Sequence, residues 1–224
     1  MPTRQQSFHR QLLQTHAERG GLHGLDRETV LSSQRGRILL AALETVAERG
    51  YAATTVTDIV ARANVSRRTF YEMYRGRDDC FEEAYRDGLA AVVEALDAAV
   101  AELDRGDWRA RIRTTLDSYL RILAENEACA RAVHVQCLAA GPKVAAQRIQ
   151  MKTMFADRMR AASQYGSGSD AATDSALDRW RYEAIIGAID DRIRDCLNAR
   201  GAAELPGELE PCYQITLTLI GASD

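Results

Sequence analysis

Residues 54–81 read TTVTDIVARANVSRRTFYEMYRGRDDCF, and their capping, apolar and turn residues predict two short helices joined by a turn. The run from Thr55 to Asp58 has the form of a capping box, which predicts a short helix over residues 56–63. The apolar residues of this helix have the i, i+3, i+4, i+7 spacing of a single face, and they are Val56, Ile59, Val60 and Ala63. The stretch therefore opens with a helix that holds one side against a core.

The next residues predict a tight turn and a second short helix. Asn64 tolerates the left-handed conformation that ends a helix, and the hydroxyl of Ser66 can cap a new one over residues 67–73. A longer helix is predicted before them, over residues 34–49, because its apolar residues have helical spacing up to Gly50. Two short helices after a supporting helix form a helix-turn-helix, whose second helix enters the major groove of DNA.

The second short helix is expected to bury Phe70 and to present its polar side chains to DNA. Arginine can form a bidentate contact with guanine, whereas threonine and tyrosine suit phosphates or thymine methyl groups. Helix N-termini can also hold phosphates. The candidate DNA-binding residues are Thr55, Thr57, Ser66, Arg67, Arg68, Thr69, Tyr71, Tyr74 and Arg77. The sequence leaves open whether Arg67 or Arg68 reads bases, and outside this motif the pair would be interpreted as a solvated helix face.

The 54–81 stretch, together with RILLAALETVAERGY at 37–51, resembles the DNA-binding signature of the tetracycline repressor (TetR) family. Family members often have Gly at position 64, a small residue at 68, His at 73 and Lys at 77. The resemblance implies a homodimeric, cytoplasmic repressor that a small lipophilic or aromatic ligand releases from a palindromic double-stranded DNA operator. The alternative is a helical architectural or protein-binding regulator without a small-molecule effector.

The remainder of the chain also has helical spacing, so the predicted fold is all-α with about nine helices. Further helices are predicted over 77–103, around 112–123, over 129–137, from 143 to a loop at 165–170, over 174–200, and from 209 onward, with a loop at 201–207. The predicted domains are an N-terminal extension over 1–33 expected to be a mobile tail, a helix-turn-helix domain over 34–78, and an effector-binding and dimerisation domain over 79–224. A basic arm that reaches the minor groove is the alternative for the extension.

A dimer interface is predicted in the last two helices. The stretch IIGAIDDRIRDCLNARGAAELPGEL at 185–209 resembles the dimerisation region of the family. The helix over 174–200 also has a second apolar stripe, which we expect a partner to cover because it would otherwise be exposed. The predicted interface residues are Ile186, Ile189, Ile193, Leu197, Tyr213, Ile215 and Leu219.

The resemblance also implies an effector pocket in the second domain. The candidate residues are mostly aromatic or sulfur-containing, which fits a lipophilic ligand, although ordinary core packing is the alternative for each. They are Trp108, Tyr119, His134, Cys137, Met151, Phe155, Trp180 and Glu183.

Composition and charge exclude several other classes. The sequence has no nucleotide-binding or hydrolase motif, so no enzyme is expected, and no cofactor, metal or membrane span is expected. The five cysteines have no zinc-binding spacing and are interpreted as buried residues of a reducing compartment. The net charge is −3, yet residues 33–76 have seven arginines against four acidic residues. A cationic segment on an acidic chain is typical of a protein that meets DNA with one part only.

Overall fold

A computed structural model describes residues 27–167 and 176–222 of the 224-residue chain. The regular elements of this described part are all helical, as the sequence predicts. The nine α-helices found there are α1 (Arg27–Arg49), α2 (Val56–Ala63), α3 (Arg67–Met73), α4 (Arg77–Ala99), α5 (Trp108–Glu125), α6 (Glu127–His134), α7 (Pro142–Ser167), α8 (Ala176–Ala199) and α9 (Leu209–Ile220). Two 3₁₀ helices lie at Gln136–Ala139 and Ala202–Glu208.

Several helix boundaries differ from the predicted ones. The helix predicted over 129–137 spans Glu127–His134 and is followed by a separate 3₁₀ helix, and the helix predicted to end before residue 165 continues to Ser167. Helix α1 begins at Arg27, inside the predicted extension, while the rest of that extension lies outside the described residues. Helix α4 ends at Ala99 instead of residue 103. The predicted loop at 201–207 is a 3₁₀ helix that packs on α5 and α8. Burial of Leu205, which is 0% exposed, anchors this segment.

The described residues form two compact units, each of which contains more than one stretch of the chain. Unit 1 contains the residues up to Val93 together with Ala128–Ala145, and unit 2 contains Glu94–Glu127 and the chain from Ala146 onward. Most of helix α6 and the turn after it therefore belong to the same unit as the helix-turn-helix. No helix in the described residues combines the length and apolar character that a membrane span requires.

Unit 1 is built around the apolar faces of α1, α2 and α4. Helix α1 buries one continuous face. The residue that follows it, Gly50, is in the left-handed region with φ of +81°, in agreement with its predicted role as a helix stop. Phe81 and Tyr85 of α4 are fully buried, and the Phe81 ring meets the Tyr51 ring edge-on at 5.2 Å between centroids. This core fixes the helix on which the helix-turn-helix rests.

Unit 2 contains α5, α8, α9 and the 3₁₀ helix Ala202–Glu208, which pack on one another. Its core buries several residues that were predicted to lie in the dimer interface. Ile193 and Leu197 are fully buried within one chain, and Ile189 and Tyr213 are at most 8% exposed. The apolar stripe of α8 that we predicted to need a partner is therefore covered by its own chain. Ile186, Ile215 and Leu219 are the predicted interface residues that retain exposure.

Candidate DNA-binding interface

Helix α2 begins with a complete capping box. The Thr55 hydroxyl accepts a hydrogen bond from the Asp58 amide at 3.3 Å, and the Asp58 carboxylate accepts one from the Thr55 amide at 3.0 Å. Hydrogen bonding from the Thr55 side chain and backbone lowers the pKa of Asp58 below its ordinary value. The exposed N-terminus of α2 is thus ordered before any phosphate meets it.

The turn between α2 and α3 has the predicted geometry. Asn64 is in the left-handed region with φ of +51°, and the Val65 amide donates to the carbonyl of Val60 at 3.1 Å. Ser66 then caps α3, because its hydroxyl accepts from the Thr69 amide at 3.0 Å. The predicted bounds of both short helices, 56–63 and 67–73, are confirmed.

Helix α3 presents one face to the core and the opposite face to solvent. Phe70 is fully buried, whereas Tyr71 is 51% exposed and meets the Phe70 ring edge-on at 5.5 Å between centroids. The buried ring prevents α3 from rotating about its axis. The outer face therefore holds Tyr71 in a fixed direction beside the two arginines.

The two arginines of α3 are held differently. Arg67 donates from Nη1 to the Thr57 hydroxyl at 3.2 Å, a neutral partner on α2. Arg68 is 89% exposed, and its Nε lies 3.0 Å from a carboxylate oxygen of Glu72 one turn along. Arg67 can form a bidentate contact with guanine through its other guanidinium hydrogens and keep its hydrogen bond to Thr57. For Arg68, the Glu72 carboxylate competes with any acceptor on DNA.

Tyr74 is a correction to the predicted set, because its side chain points into the core. It is 3% exposed, and its hydroxyl donates at 2.8 Å to a Glu83 oxygen that also accepts from Arg35 Nε at 2.7 Å. Burial raises the pKa of the Tyr74 hydroxyl, as does its hydrogen bond to Glu83. Tyr74 thus anchors the end of α3 to α4 and α1 and is not available to DNA.

Arg77 is a second correction, because its guanidinium is engaged inside unit 1. Nη1 donates to the carbonyls of Tyr51 and Thr54 at 3.0 and 3.2 Å, and the guanidinium carbon lies 4.3 Å from the centroid of the Tyr51 ring. The Tyr51 hydroxyl donates a hydrogen bond to Asp78 at 2.8 Å. Burial is the main reason why the pKa of Tyr51 rises to about 12, and this hydrogen bond raises it further. Arg77 thus clamps the loop before α2 instead of presenting a free charge.

Arg75 lies in the short link between α3 and α4 and is not among the predicted DNA-binding residues. Its side chain is 82% exposed and pairs with Asp79 at 2.9 Å. It lines an open cleft of about 700 Å³ with residues that include Thr54 and Lys143. The sequence signal for Arg75 was its place in the link between two predicted helices, because such links are usually exposed.

The predicted effector residues are divided between the two units. His134 and Cys137 belong to unit 1 and are at most 2% exposed, with the Cys137 thiol directed to the Val133 carbonyl at 2.7 Å. The predicted pocket residues in unit 2 are Trp108, Tyr119, Met151, Phe155, Trp180 and Glu183. The residues of unit 2 differ in burial, and burial indicates which of them can line an enclosed pocket.

Among the unit 2 residues, the structure brings Tyr119 and Phe155 together, with ring centroids 6.0 Å apart, and buries Met151. Trp180 is 65% exposed and Glu183 forms a surface pair with Arg179 at 3.2 Å, so neither is enclosed by the chain. These two assignments are corrected. The described His, Cys, Asp and Glu residues form no group suited to a metal ion.

Residues 38–84, the segment that contains this geometry, match the family described as bacterial regulatory proteins, tetR family. HTH-type transcriptional regulators of Mycobacterium tuberculosis and Mycobacterium bovis are each 25% identical over 152 residues, which is 68% of this chain and 68% of the relative.

Two solved structures share the fold over most of the chain. The fatty acid degradation regulator FadR of Bacillus halodurans is 17% identical and superposes with a TM-score of 0.71 over 82% of this chain and 94% of that one. FadR of Bacillus subtilis, solved in complex with stearoyl-CoA, is 16% identical with a TM-score of 0.69 over 84% and 98%. The family match falls on the helix-turn-helix, so residues 38–84 form a DNA-binding domain of the tetR family of bacterial regulatory proteins, and the structural likeness shows that the remaining helices share the fold of such regulators.

Proposed function

We propose that this regulator is a repressor that binds a palindromic operator as a homodimer and leaves it when a small lipophilic ligand binds. The observation that carries the proposal is the outer face of α3, where Arg67, Arg68 and Tyr71 are presented by a helix whose other face is locked in the core. Two such helices related by a two-fold axis read a palindrome when they lie about 34–36 Å apart.

Each contact has a separate role in the proposed complex. Arg67 reads a base in the major groove, because Thr57 fixes its guanidinium without neutralising it. Arg68 contributes a second base or phosphate contact after it exchanges Glu72 for DNA. The proposed phosphate contacts come from the capped helix ends and their neighbours: Thr55, Thr57, Ser66, Thr69, Tyr71 and Arg75.

The homodimer is proposed to use the outward faces of α8 and α9, which pack on each other in unit 2. Trp180 is 65% exposed and Leu219 is 40% exposed, and Ile186 and Ile215 are half-buried. Large apolar side chains at such exposure are typical of surfaces that a partner covers. This surface replaces the predicted one, whose central residues are already buried.

The effector is proposed to enter unit 2 near Tyr119, Met151 and Phe155, whose aromatic and sulfur-containing side chains suit an acyl or aromatic group. The structurally similar FadR of Bacillus subtilis was solved with stearoyl-CoA, which makes acyl-CoA the first compound class to test. A cytoplasmic location fits the five cysteines, which are all free and buried.

The signal from the effector is proposed to reach DNA through Tyr51. The chain passes from unit 2 into unit 1 at residue 128 and leaves it after Ala145. Within that segment, the Gln136 side chain accepts a hydrogen bond from the Tyr51 amide at 3.3 Å. Since Tyr51 precedes the capped start of α2 by four residues, a shift of Gln136 is transmitted to the phosphate-binding end of that helix.

The test of DNA recognition begins with selection of binding sites from randomised duplex DNA by the full-length protein. Replacing Arg67 and Arg68 together with Ala is expected to lower affinity for the selected site by at least about tenfold, since one good base contact is worth about 1–3 kcal/mol. Arg121→Ala is the matched control, because Arg121 is also exposed and also pairs with a carboxylate one turn away, Asp117. Fluorescence anisotropy at fixed salt measures both.

Equal affinity of the double variant and the wild type for the selected site would remove α3 from the recognition role. Binding without a preferred sequence would instead favour the architectural alternative. Release is tested by adding stearoyl-CoA to the complex, where a coupling of about 1–3 kcal/mol lowers operator affinity about 5- to 150-fold.

A further inference from the structure

A group of three cationic side chains converges on a single carboxylate oxygen in unit 2. Arg148 and Lys152 lie one turn apart on α7, and Asp190 and Arg194 lie one turn apart on α8. Asp190 Oδ2 contacts Arg148 Nη2, lies 3.2 Å from Arg194 Nη1 and lies 3.9 Å from Lys152 Nζ. We call these four residues the α7–α8 charge cluster.

The α7–α8 charge cluster has more positive than negative charge. Arg194 also pairs with Asp191, so three cationic heads share two carboxylates in these contacts. Asp190 is 7% exposed and Arg148 is 11% exposed, and the Arg148 Nε is buried without a hydrogen-bond partner. The three cationic groups repel one another, and the buried Arg148 Nε lacks a hydrogen bond. Both effects destabilise the folded chain unless an anion binds at the cluster.

The cluster opens to solvent on the side of Lys152 and Arg194. Their side chains are 30% and 22% exposed, whereas the Asp190 carboxylate beneath them is buried. The residue of α8 that faces the lysine is Gly187, at which even an added Cβ would lie 3.8 Å from Lys152 Nζ. An anion arriving from solvent therefore meets two cationic heads before it meets the carboxylate.

The geometry points to an oxyanion-binding site at the α7–α8 charge cluster, which takes the phosphate or carboxylate group of the effector. Arginine binds oxyanions through its planar fork and lysine through a compact charge, and both kinds of head group lie here around Asp190 Oδ2, with Lys152 Nζ the farthest at 3.9 Å. The inference rests on the proposed function in which unit 2 binds an effector, and it narrows that effector from any lipophilic compound to an anionic amphiphile.

The first test is a footprint that needs no variant. The chain has only two lysines, Lys152 in the cluster and Lys143 in unit 1, which is 65% exposed and pairs with Glu82. Reductive methylation followed by mass spectrometry measures the rate at each lysine. Saturating pyrophosphate, stearate or stearoyl-CoA is expected to slow methylation of Lys152 about tenfold while Lys143 is unchanged, and stearyl alcohol is expected to protect neither.

The protecting anion identifies the source of the oxyanion. Protection by pyrophosphate and stearoyl-CoA alone assigns a phosphate group, protection by stearate alone assigns a carboxylate, and protection by all three assigns a site that accepts either oxyanion. If none of the three anions protects Lys152, the cluster is only a structural link between α7 and α8 and the inference is wrong.

A pair of variants adds an affinity measurement by calorimetry for the protecting anion. Arg194→Gln is expected to weaken its binding about tenfold, whereas Arg158→Gln, a change on the exposed part of α7, leaves it unchanged. Equal loss in both variants would mean general charge attraction and overturn the site. Operator release is scored separately: protection of Lys152 without release would contradict the proposed function and leave the oxyanion site standing.

Discussion

Changing Tyr74 to Phe separates anchoring of the recognition helix from contact with DNA. The ring stays in the core, and only the hydroxyl that donates 2.8 Å to Glu83 is lost. A hydrogen bond to a charged group is worth about 1.5–3 kcal/mol, and the lower part of that range applies because Arg35 remains bound to the same carboxylate. We expect the free energy of unfolding to fall by about 1–2 kcal/mol, which lowers the melting temperature by about 2–8 °C in a chain of this length.

The matched change is Tyr71 to Phe, which removes a hydroxyl from the exposed face of the same helix. Tyr71 is 51% exposed, so its variant is expected to melt with the wild type and to bind the selected operator more weakly. Circular dichroism measures the melting temperature and fluorescence anisotropy measures the affinity. The reasoning is refuted if Tyr74→Phe melts like the wild type and loses operator affinity as Tyr71→Phe does.

Three further predictions concern other residues of the two units. Thr55→Ala is expected to cost about 1 kcal/mol of stability by thermal unfolding because it removes the α2 cap, and Thr55→Ser should retain most of it. Leu219→Glu is expected to give a folded monomer by light scattering, because Leu219 is exposed on the proposed interface. Ile193→Glu buries a charge and is expected to unfold the chain. A folded monomer from Ile193→Glu would instead support the interface first predicted from the sequence. The pKa of Asp78 is lowered in the folded state, chiefly by the hydrogen bond from the Tyr51 hydroxyl. The ionised Asp78 therefore stabilises the fold fully above about pH 4, and this stabilisation is lost as the pH falls through the folded-state pKa. Melting temperatures from pH 3 to 8 measure the loss, and a loss of Asp78-dependent stability near pH 6 would contradict the assignment.

The helix-turn-helix could be predicted from the sequence because its determinants are local. Thr55, Asn64 and Ser66 each fix a backbone conformation through their own side chain or their tolerance of a positive φ, so the bounds of α2 and α3 follow from sequence. Helix α1 begins earlier than predicted because the prediction rested on the apolar spacing within residues 34–49, and such spacing does not mark where a helix starts.

The orientation of single side chains depends on contacts that are distant in sequence. Tyr74 follows the buried Phe70 by four residues, the spacing of a shared helix face, and its ring lies 5.4 Å from the Phe70 ring between centroids. The partner of its hydroxyl, Glu83, which Arg35 of α1 also holds, is nevertheless not visible in the local sequence. The second apolar stripe of α8 was misinterpreted for the same reason. A helix surrounded by its own chain and a helix at a dimer interface both require two apolar faces, and periodicity alone does not distinguish them.

The loop before α2 receives contacts from two directions, and this gives one physical reason why a change in unit 1 can alter DNA binding. Gln136 holds the Tyr51 amide, while Arg77 of α4 holds the Tyr51 carbonyl and the Thr54 carbonyl. The peptide groups on both sides of Tyr51 are therefore fixed by side chains from separate helical segments. If the turn after α6 moves relative to α4, these hydrogen bonds cannot all keep their lengths, so either one of them breaks or the start of α2 shifts with them. Because the Thr55 cap that we propose binds phosphate follows directly, a displacement of this loop by an ångström removes that contact while the fold of the helix-turn-helix itself is retained.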